Sequence, residues 1–304
     1  MAEVILHLGA HGTDEGIIAA WLAGNEDDLG ARGTQVMRAR RFQRRFAQAL
    51  ADHGDGAGDA DRRGFADALR LRGDLTRLAV SAPDLLVPRD SVLAQEGLFS
   101  GDATSRLRAL GGSLLGGVAL TLGLAIARPS ALVPALMAGG AATPDAGMID
   151  AWLQRLSGAT LPWAALVAQI RRDLPQARLV VWRHERLPQI WPSVLACMSG
   201  LDVADEALPM AGVEGFAMLG IVPAGHAPMR RYIAAKPPPN PALMQRVAAA
   251  FAQGYGRLDD DAAGLNEPGL ALPESLQDRL IRLDEGYGAQ WSAIAAIEGV
   301  ERLD

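Results

Sequence analysis

The sequence is poor in cysteine and in aromatic residues. Cys197 is the only cysteine in 304 residues, so an internal disulfide is excluded. A chain without disulfides is typical of a reducing compartment, and we expect a cytoplasmic protein with Cys197 as a small buried residue. Aromatic residues make up 5% of the chain, but hydrophobic residues reach 49% against 21% charged, which indicates a globular fold with an ample core. The start, Met1-Ala2-Glu3, lacks the positive charge of a secretory signal peptide.

Lysine is almost absent, and the charge balance is acidic. Lys236 is the only lysine among 29 Lys and Arg residues, and it precedes three prolines in a predicted exposed loop. With a net charge of −6 the chain lacks the overall positive charge typical of nucleic-acid-binding proteins, so no nucleic-acid partner is predicted. The one basic run, Arg38 to Arg45, is interpreted as the solvated face of a helix, because the rest of the chain is acidic.

Long hydrophobic runs are also scarce. The segment from Leu110 to Ala127 has 18 residues without a charge and contains five glycines. A helix end, a glycine turn and a buried strand explain this run better than a transmembrane helix, so no membrane span is predicted.

Apolar segments of two kinds alternate along the chain. Short apolar runs predict strands buried on both faces of a parallel sheet, and segments with the helical period predict helices between them. The predicted strands are Val4–Leu8, Leu78–Ser81, Leu85–Val87, Val118–Ala127 and Ala177–Trp182. The predicted helices are Ile17–Ala23, Arg40–Leu50, Gly64–Leu71, Thr104–Leu110, Met148–Leu156, Trp163–Asp173, Pro188–Met198, Pro241–Gln253 and Pro273–Gln290.

This alternation predicts an α/β fold of three layers, α/β/α, with a mostly parallel central sheet. We expect a single domain over residues 1–304. Two stretches, 52–63 and 202–240, are predicted to be loops or insertions, the first because it is rich in Gly and Asp and the second because it is irregular and carries several prolines.

The stretch from Glu3 to Trp21 is the most informative part of the chain. A short apolar strand runs into a glycine-containing turn, and an apolar helix follows at once. This is the layout of a phosphate-binding loop, in which backbone N–H groups and a helix N-terminus hold an anion. However, the loop has no lysine, and Asp14 and Glu15 stand where the anion would lie. Their alternative role is to cap the helix and complement its dipole.

The residues of this loop resemble the opening of bacterial sulfotransferase-like proteins. His7, Gly9, Ala10, His11 and Thr13 match the family's motif, while Gly12 replaces its lysine and Asp14, Glu15 and Gly16 replace small or hydroxyl residues. Weaker matches follow in the family's order at Asn25–Gly33, Gly97–Leu107, Leu124–Pro129, Pro175–Glu185, Leu272–Tyr287 and Ile297–Val300. The resemblance implies a P-loop NTPase-like sulfotransferase fold whose sulfate donor is 3′-phosphoadenylyl sulfate.

The resemblance also implies a set of site residues. Gly9, Ala10, His11, Gly12 and Thr13 would hold the phosphosulfate end of the donor. Arg128 and Ser130, each shifted from the family's pattern, would bind the 3′-phosphate. Asp90 would activate a hydroxyl-bearing acceptor such as a carbohydrate, and His11, at the mouth of the loop, is a further candidate catalytic residue that could contact an anion.

Each of these residues also has a structural interpretation. Arg128 could be an ordinary charge at a strand end, Asp90 could cap the next helix, and His7 could be a hydrogen-bonded core histidine. No histidines and carboxylates have metal-ligand spacing, so no metal is predicted.

Three interpretations of function stay open. The first is an active sulfotransferase that uses 3′-phosphoadenylyl sulfate. The second, which we favour, is a pseudoenzyme that keeps the fold for binding or scaffolding, with weak or no sulfuryl transfer and no cofactor. The third is an enzyme with a less anionic ligand in the same cleft. We favour the second because sulfuryl transfer depends on holding and neutralising a polyanionic donor, and the loop lysine that does this is missing.

Overall fold

The structure is a computed structural model. It describes residues 3–14, 16–53, 65, 69, 76–94, 97–101, 103–115, 118–138, 146–155, 160–201, 208–257 and 272–304. Six strands form one sheet in the order β2-β3-β1-β4-β5-β6, and every neighbouring pair is parallel. The strands are β1 (Glu3–His7), β2 (Thr34–Val36), β3 (Arg77–Ser81), β4 (Ala119–Ile126), β5 (Arg178–Arg183) and β6 (Val300–Leu303).

The helices fill the connections between these strands. They are α1 (Ile17–Gly24), α2 (Glu26–Ala31), α3 (Ala39–His53), α4 (Ser105–Arg108), α5 (Pro129–Ala138), α6 (Ala146–Arg155), α7 (Trp163–Asp173), α8 (Leu187–Ser199), α9 (Glu214–Met218), α10 (Pro223–Ala235), α11 (Pro241–Tyr255), α12 (Glu274–Asp284) and α13 (Tyr287–Ala295). A π-helical turn, Ala109–Leu114, continues α4. Among the described residues, no helix is both long and apolar enough to cross a membrane.

Successive side chains along a strand point to opposite faces of the sheet and pack into two hydrophobic clusters, one on each face. On one face, Val4 and Leu6 of β1 belong to a cluster that includes buried side chains of α3, α5, α7 and α12. On the other face, Ile5 belongs to a cluster that includes α1, α8 and α9. The predicted α/β fold with a central parallel sheet between helical layers is therefore confirmed.

Four of the five predicted strands are confirmed to within one residue at each end. The fifth, Leu85–Val87, is wrong. The chain leaves β3 at Ser81 and makes a 3₁₀ turn over Pro83–Leu85 instead, because Pro83 has no N–H to donate to a neighbouring strand and Pro88 closes the segment. Two strands, β2 and β6, were missed, since runs of three and four residues give no clear period.

The expected loop at 202–240 needs correction. Helices α9 and α10 lie within it. Pro223 is the first residue of α10, a position where the helix needs no backbone N–H from it. Residues 202–207 lie outside the described residues. In the other expected loop, Asp52 and His53 end helix α3, and 54–63 lie outside the described residues, as does most of the predicted helix Gly64–Leu71.

From β1 the chain runs first to one edge of the sheet, at β2, and later returns past β1 toward the other edge, at β6. It leaves β1 for β2 through α1 and α2 on one face, and it leaves β3 for β4 through α4 on the opposite face. The carboxyl end of β1 therefore lies at a topological switch point, where open α/β sheets form their ligand-binding crevice. The glycine-containing loop that follows β1 occupies this place.

Candidate functional site

The loop after β1 is tied to the neighbouring strand β4. Backbone N–H groups of Leu8 and Ala10 donate to the carbonyls of Gly123 and Ala125 at 2.8 and 3.0 Å, and the N–H of Ala125 donates to the carbonyl of Gly9 at 2.6 Å. Thr13 turns inward as well, since its hydroxyl donates to the Ala10 carbonyl at 2.6 Å and its N–H points to the same oxygen at 3.3 Å. The groups of Ala10 and Thr13 that the resemblance assigns to the donor are thus engaged within the protein.

Asp14 occupies the start of helix α1. One carboxylate oxygen accepts from the N–H of Gly16 at 3.3 Å, and the other accepts from the N–H of Ile18 at 3.1 Å. The side chain is buried, with a relative exposure of 6%. This agrees with the capping role considered for Asp14, and it places a carboxylate where a phosphate-binding loop would place the anion. Glu15, the other expected capping residue, lies outside the described residues.

Gly12, the position that the resemblance aligns with a lysine, has no room for a side chain. Its φ of +78° is a left-handed conformation that favours glycine. A Cβ atom there would lie 2.9 Å from the Cβ of Ala135 on helix α5. Helix α5 therefore packs directly against the loop at this point.

His11 joins the loop to the segment that follows β3. Its Nε2 lies 2.9 Å from the Val87 carbonyl and 3.3 Å from a carboxylate oxygen of Asp84. Burial lowers the pKa of His11 below its ordinary value, and this effect outweighs the hydrogen bond to Val87 and the charge of Asp84, which raise it. The imidazole is therefore neutral at pH 7, and its Nε2 has partners inside the protein rather than in an open anion site.

His7, at the end of β1, is a core histidine, as one of its interpretations held. Its Nδ1 lies 2.9 Å from the Ser81 hydroxyl, and its ring stacks on Trp182 with the centroids 5.8 Å apart. Gly123 lies beside His7 on β4, and a Cβ there would come within 3.1 Å of the Trp182 ring. Burial also lowers the pKa of His7.

A pair of carboxylates, Glu185 and Asp284, lies at the end of β4, around Arg128 and Ser130. The N–H of Arg128 donates to Glu185 at 2.9 Å, and its Nε lies 3.5 Å from the same oxygen. The N–H of Ser130, in the first turn of α5, donates to Asp284 at 3.0 Å, and the Ser130 hydroxyl donates to the other oxygen of Asp284. The residues expected to bind the 3′-phosphate thus hold the protein's own acidic side chains.

Tyr287 completes this cluster. Its hydroxyl lies 3.0 Å from Glu185 and 3.2 Å from the Ile126 carbonyl. Burial, followed by the charge of Glu185, raises the pKa of Tyr287 well above its ordinary value. Burial likewise raises the pKa of Asp284, against the opposing hydrogen bonds from Ser130. Sequence reasoning missed Asp284 and Tyr287, because no local pattern links them to β4, about 150 residues earlier in the chain.

Asp90, the expected acceptor base, lies on the segment that follows β3. It belongs to a 3₁₀ turn, Arg89–Ser91, makes no capping bond to a helix, and accepts from the Ser91 hydroxyl at 3.2 Å. It lines a cleft of about 840 Å³ that also includes Asp84, the partner of His11. The cleft is lined by Gln43, Phe46, Ala47, Leu50, Asp84, Leu85, Pro88, Arg89, Asp90, Arg106 and Leu136.

Within the described part of the chain, no group of three or more His, Cys, Asp and Glu side chains could hold a metal ion. Cys197 is buried, and burial raises the pKa of its thiol to about 11, so it is not a nucleophile at neutral pH. Comparison of the chain with protein-family models, with curated proteins and with solved structures gave no match.

Proposed function

We propose that this chain is a sulfotransferase-like, P-loop-type protein that has lost its donor site and acts as a cytoplasmic binding or scaffolding protein without sulfuryl transfer. One observation carries the proposal. The carboxylates of Asp14 and Asp284 accept the N–H groups at the starts of α1 and α5, the two places where the resemblance puts the phosphates of the donor.

Electrostatics gives the size of the effect. A phosphate oxygen approaching to about 4.5 Å from a carboxylate costs roughly 3–4 kcal/mol per pair of unit charges at an effective dielectric constant of about 20. Each such pair lowers affinity by about two to three powers of ten. No lysine is available near the loop to offset this cost, since Lys236 lies just beyond α10 and its ammonium stacks on Tyr232 instead.

The resemblance and the position of the loop support the fold named in this proposal. The loop follows the central strand at the switch point of a parallel sheet, which suits a phosphate-binding ancestor. The packing of Ala135 against Gly12 supports the loss of the donor site, because it leaves no room for a lysine side chain at that position.

The test is a calorimetric titration of the protein with adenosine 3′,5′-bisphosphate at low and moderate salt. We expect no binding at millimolar ligand, and we expect measurable binding in a variant that combines Asp14→Ala with Asp284→Ala. The matched control is Asp27→Ala, which removes an exposed carboxylate from the first turn of α2. Micromolar, salt-sensitive binding by the unaltered protein would overturn the proposal. It would favour the alternative, an active sulfotransferase that moves sulfate from 3′-phosphoadenylyl sulfate to a hydroxyl acceptor such as a carbohydrate.

A further inference from the structure

The cleft beside the loop, here called the α3 cleft, has the size and walls of a small-molecule site. Its volume of about 840 Å³ lies within the range usual for such sites. Helix α3 contributes Phe46 and Leu50 to one wall, and Leu85 and Leu136 contribute to the others. An apolar ligand would bury its surface against these side chains.

The charges balance among the described lining residues of the α3 cleft. These charged residues are two arginines, Arg89 and Arg106, and two aspartates, Asp84 and Asp90. His11, which contacts Asp84, adds no charge because burial lowers its pKa. A charged ligand would therefore meet a repelling partner for each attracting one, and it would lose its hydration without a net gain.

The arginines are already fixed by the protein. A guanidinium N–H of Arg89 donates to the Ala135 carbonyl at 2.8 Å, and one of Arg106 donates to the Asp84 carbonyl at 3.1 Å. Each guanidinium carries five N–H groups, so both keep donors for a ligand, while the carboxylates supply acceptors. The polar edge of the cleft can thus bond to a hydroxyl, a carbonyl or an amide.

We propose that the α3 cleft binds an uncharged, largely apolar small molecule that carries hydrogen-bonding groups. This inference rests on the proposed function, because it names the ligand class of that binding protein. It adds a property that the sulfotransferase resemblance does not contain: the ligand binds without a donor nucleotide.

Two fluorescent probes that differ only in charge test the proposal. N-phenyl-1-naphthylamine is neutral, and 8-anilinonaphthalene-1-sulfonate is the same skeleton with a sulfonate. We expect the neutral probe to bind at least tenfold more tightly to the folded protein, with an affinity insensitive to salt. Tighter binding of the sulfonate probe would overturn the proposal.

Three variants test where the neutral probe binds and why the cleft prefers it. Ala47→Trp places an indole in the α3 cleft and should abolish binding of the neutral probe, whereas Ala293→Trp, on an exposed position of α13, should leave it unchanged. The double variant Asp84→Asn, Asp90→Asn keeps the shape of the cleft but leaves two unbalanced arginines, so it should shift the preference at least tenfold toward the sulfonate probe. Unchanged binding in Ala47→Trp, or an unchanged preference in the double variant, would overturn the proposal.

The experiments distinguish an error in the proposed ligand class of the α3 cleft from an error in the proposed function. If neither probe binds and adenosine 3′,5′-bisphosphate does not bind either, only the ligand class is wrong. If the bisphosphate binds and displaces the neutral probe, the donor site is intact and the proposed function itself is wrong.

Discussion

Replacing Asp14 by alanine should destabilise the protein and at the same time create an anion site. The carboxylate accepts two N–H groups at the start of α1 from a nearly buried position. Loss of a helix cap costs about 0.5–2 kcal/mol, and bonds to a charged acceptor fall at the upper end of the range for hydrogen bonds. We therefore expect the free energy of unfolding to fall by about 2 kcal/mol.

Inorganic phosphate should restore part of this loss. In the Asp14→Ala protein, the N–H groups of Gly16 and Ile18 are left without their acceptor, and an anion can take its place. A ligand at ten times its dissociation constant stabilises the native state by about 1.4 kcal/mol, which would recover more than half of the loss.

The assay is urea unfolding in sodium phosphate and in sodium chloride of equal ionic strength. The expected result is a phosphate-dependent gain in the variant that exceeds any gain in the unaltered protein. Asp27→Ala, the exposed control, should change stability by less than about 0.5 kcal/mol in either salt. Equal responses to phosphate in the variant and the unaltered protein would refute the assignment of Asp14 to the anion position.

Three other predictions concern stability. Gly12→Lys, the change toward the family's loop, should cost at least about 1–3 kcal/mol in urea unfolding, because of its φ of +78° and the contact with Ala135. Added Ala135→Gly should return part of that cost, and an unaltered stability in Gly12→Lys would contradict the packing described. Burial lowers the pKa of His7 and His11, so the unfolded chain binds more protons near pH 6. Stability should be fully present above the ordinary histidine pKa of about 6.5 and fall as the pH drops below it. The double variant His7→Gln, His11→Gln should flatten this slope in urea unfolding between pH 7.5 and 5.5, and an equal slope would show that other groups cause it. Tyr287→Phe should lower the free energy of unfolding by about 1–2 kcal/mol, because Glu185 loses a hydrogen-bond donor in a buried site. The control Tyr232→Phe, on the surface, should lower it little. Equal thermal unfolding of the two variants would contradict the role of the bond between Tyr287 and Glu185.

The central part of the fold could be predicted from the sequence because its signals are local. Strands β1, β3, β4 and β5 are apolar runs buried on both faces, and helices such as α7 show a clear period. Helix α5 escaped prediction because Pro134 lies inside it and its residues are apolar all round, which removes the amphipathic pattern. The break between α12 and α13, within one predicted helix, also carries no strong local signal.

Only those parts of the candidate site that are formed by residues close together in the sequence could be predicted. The capping role of Asp14 follows from its place before α1, and the structure shows it. The role of Asp284 could not be read from the sequence, because the chain brings it to Ser130 through the packing of α12 on α5. The absence of a lysine from the loop is visible in the sequence, but the close approach of Ala135 to Gly12 depends on tertiary structure alone.

Because Gly12 of the loop contacts Ala135 of α5, the effect of a substitution at either position depends on the residue at the other. A lysine at position 12 is strained while Ala135 remains, and a smaller residue at 135 leaves an empty space while Gly12 remains. A chain that acquired both a lysine at position 12 and a smaller residue at position 135 would therefore pass through a less stable single mutant, whichever change came first. Because each single change lowers stability while the pair of changes compensates, this coupling would keep Gly12 and Ala135 together even under selection for a basic side chain in the loop.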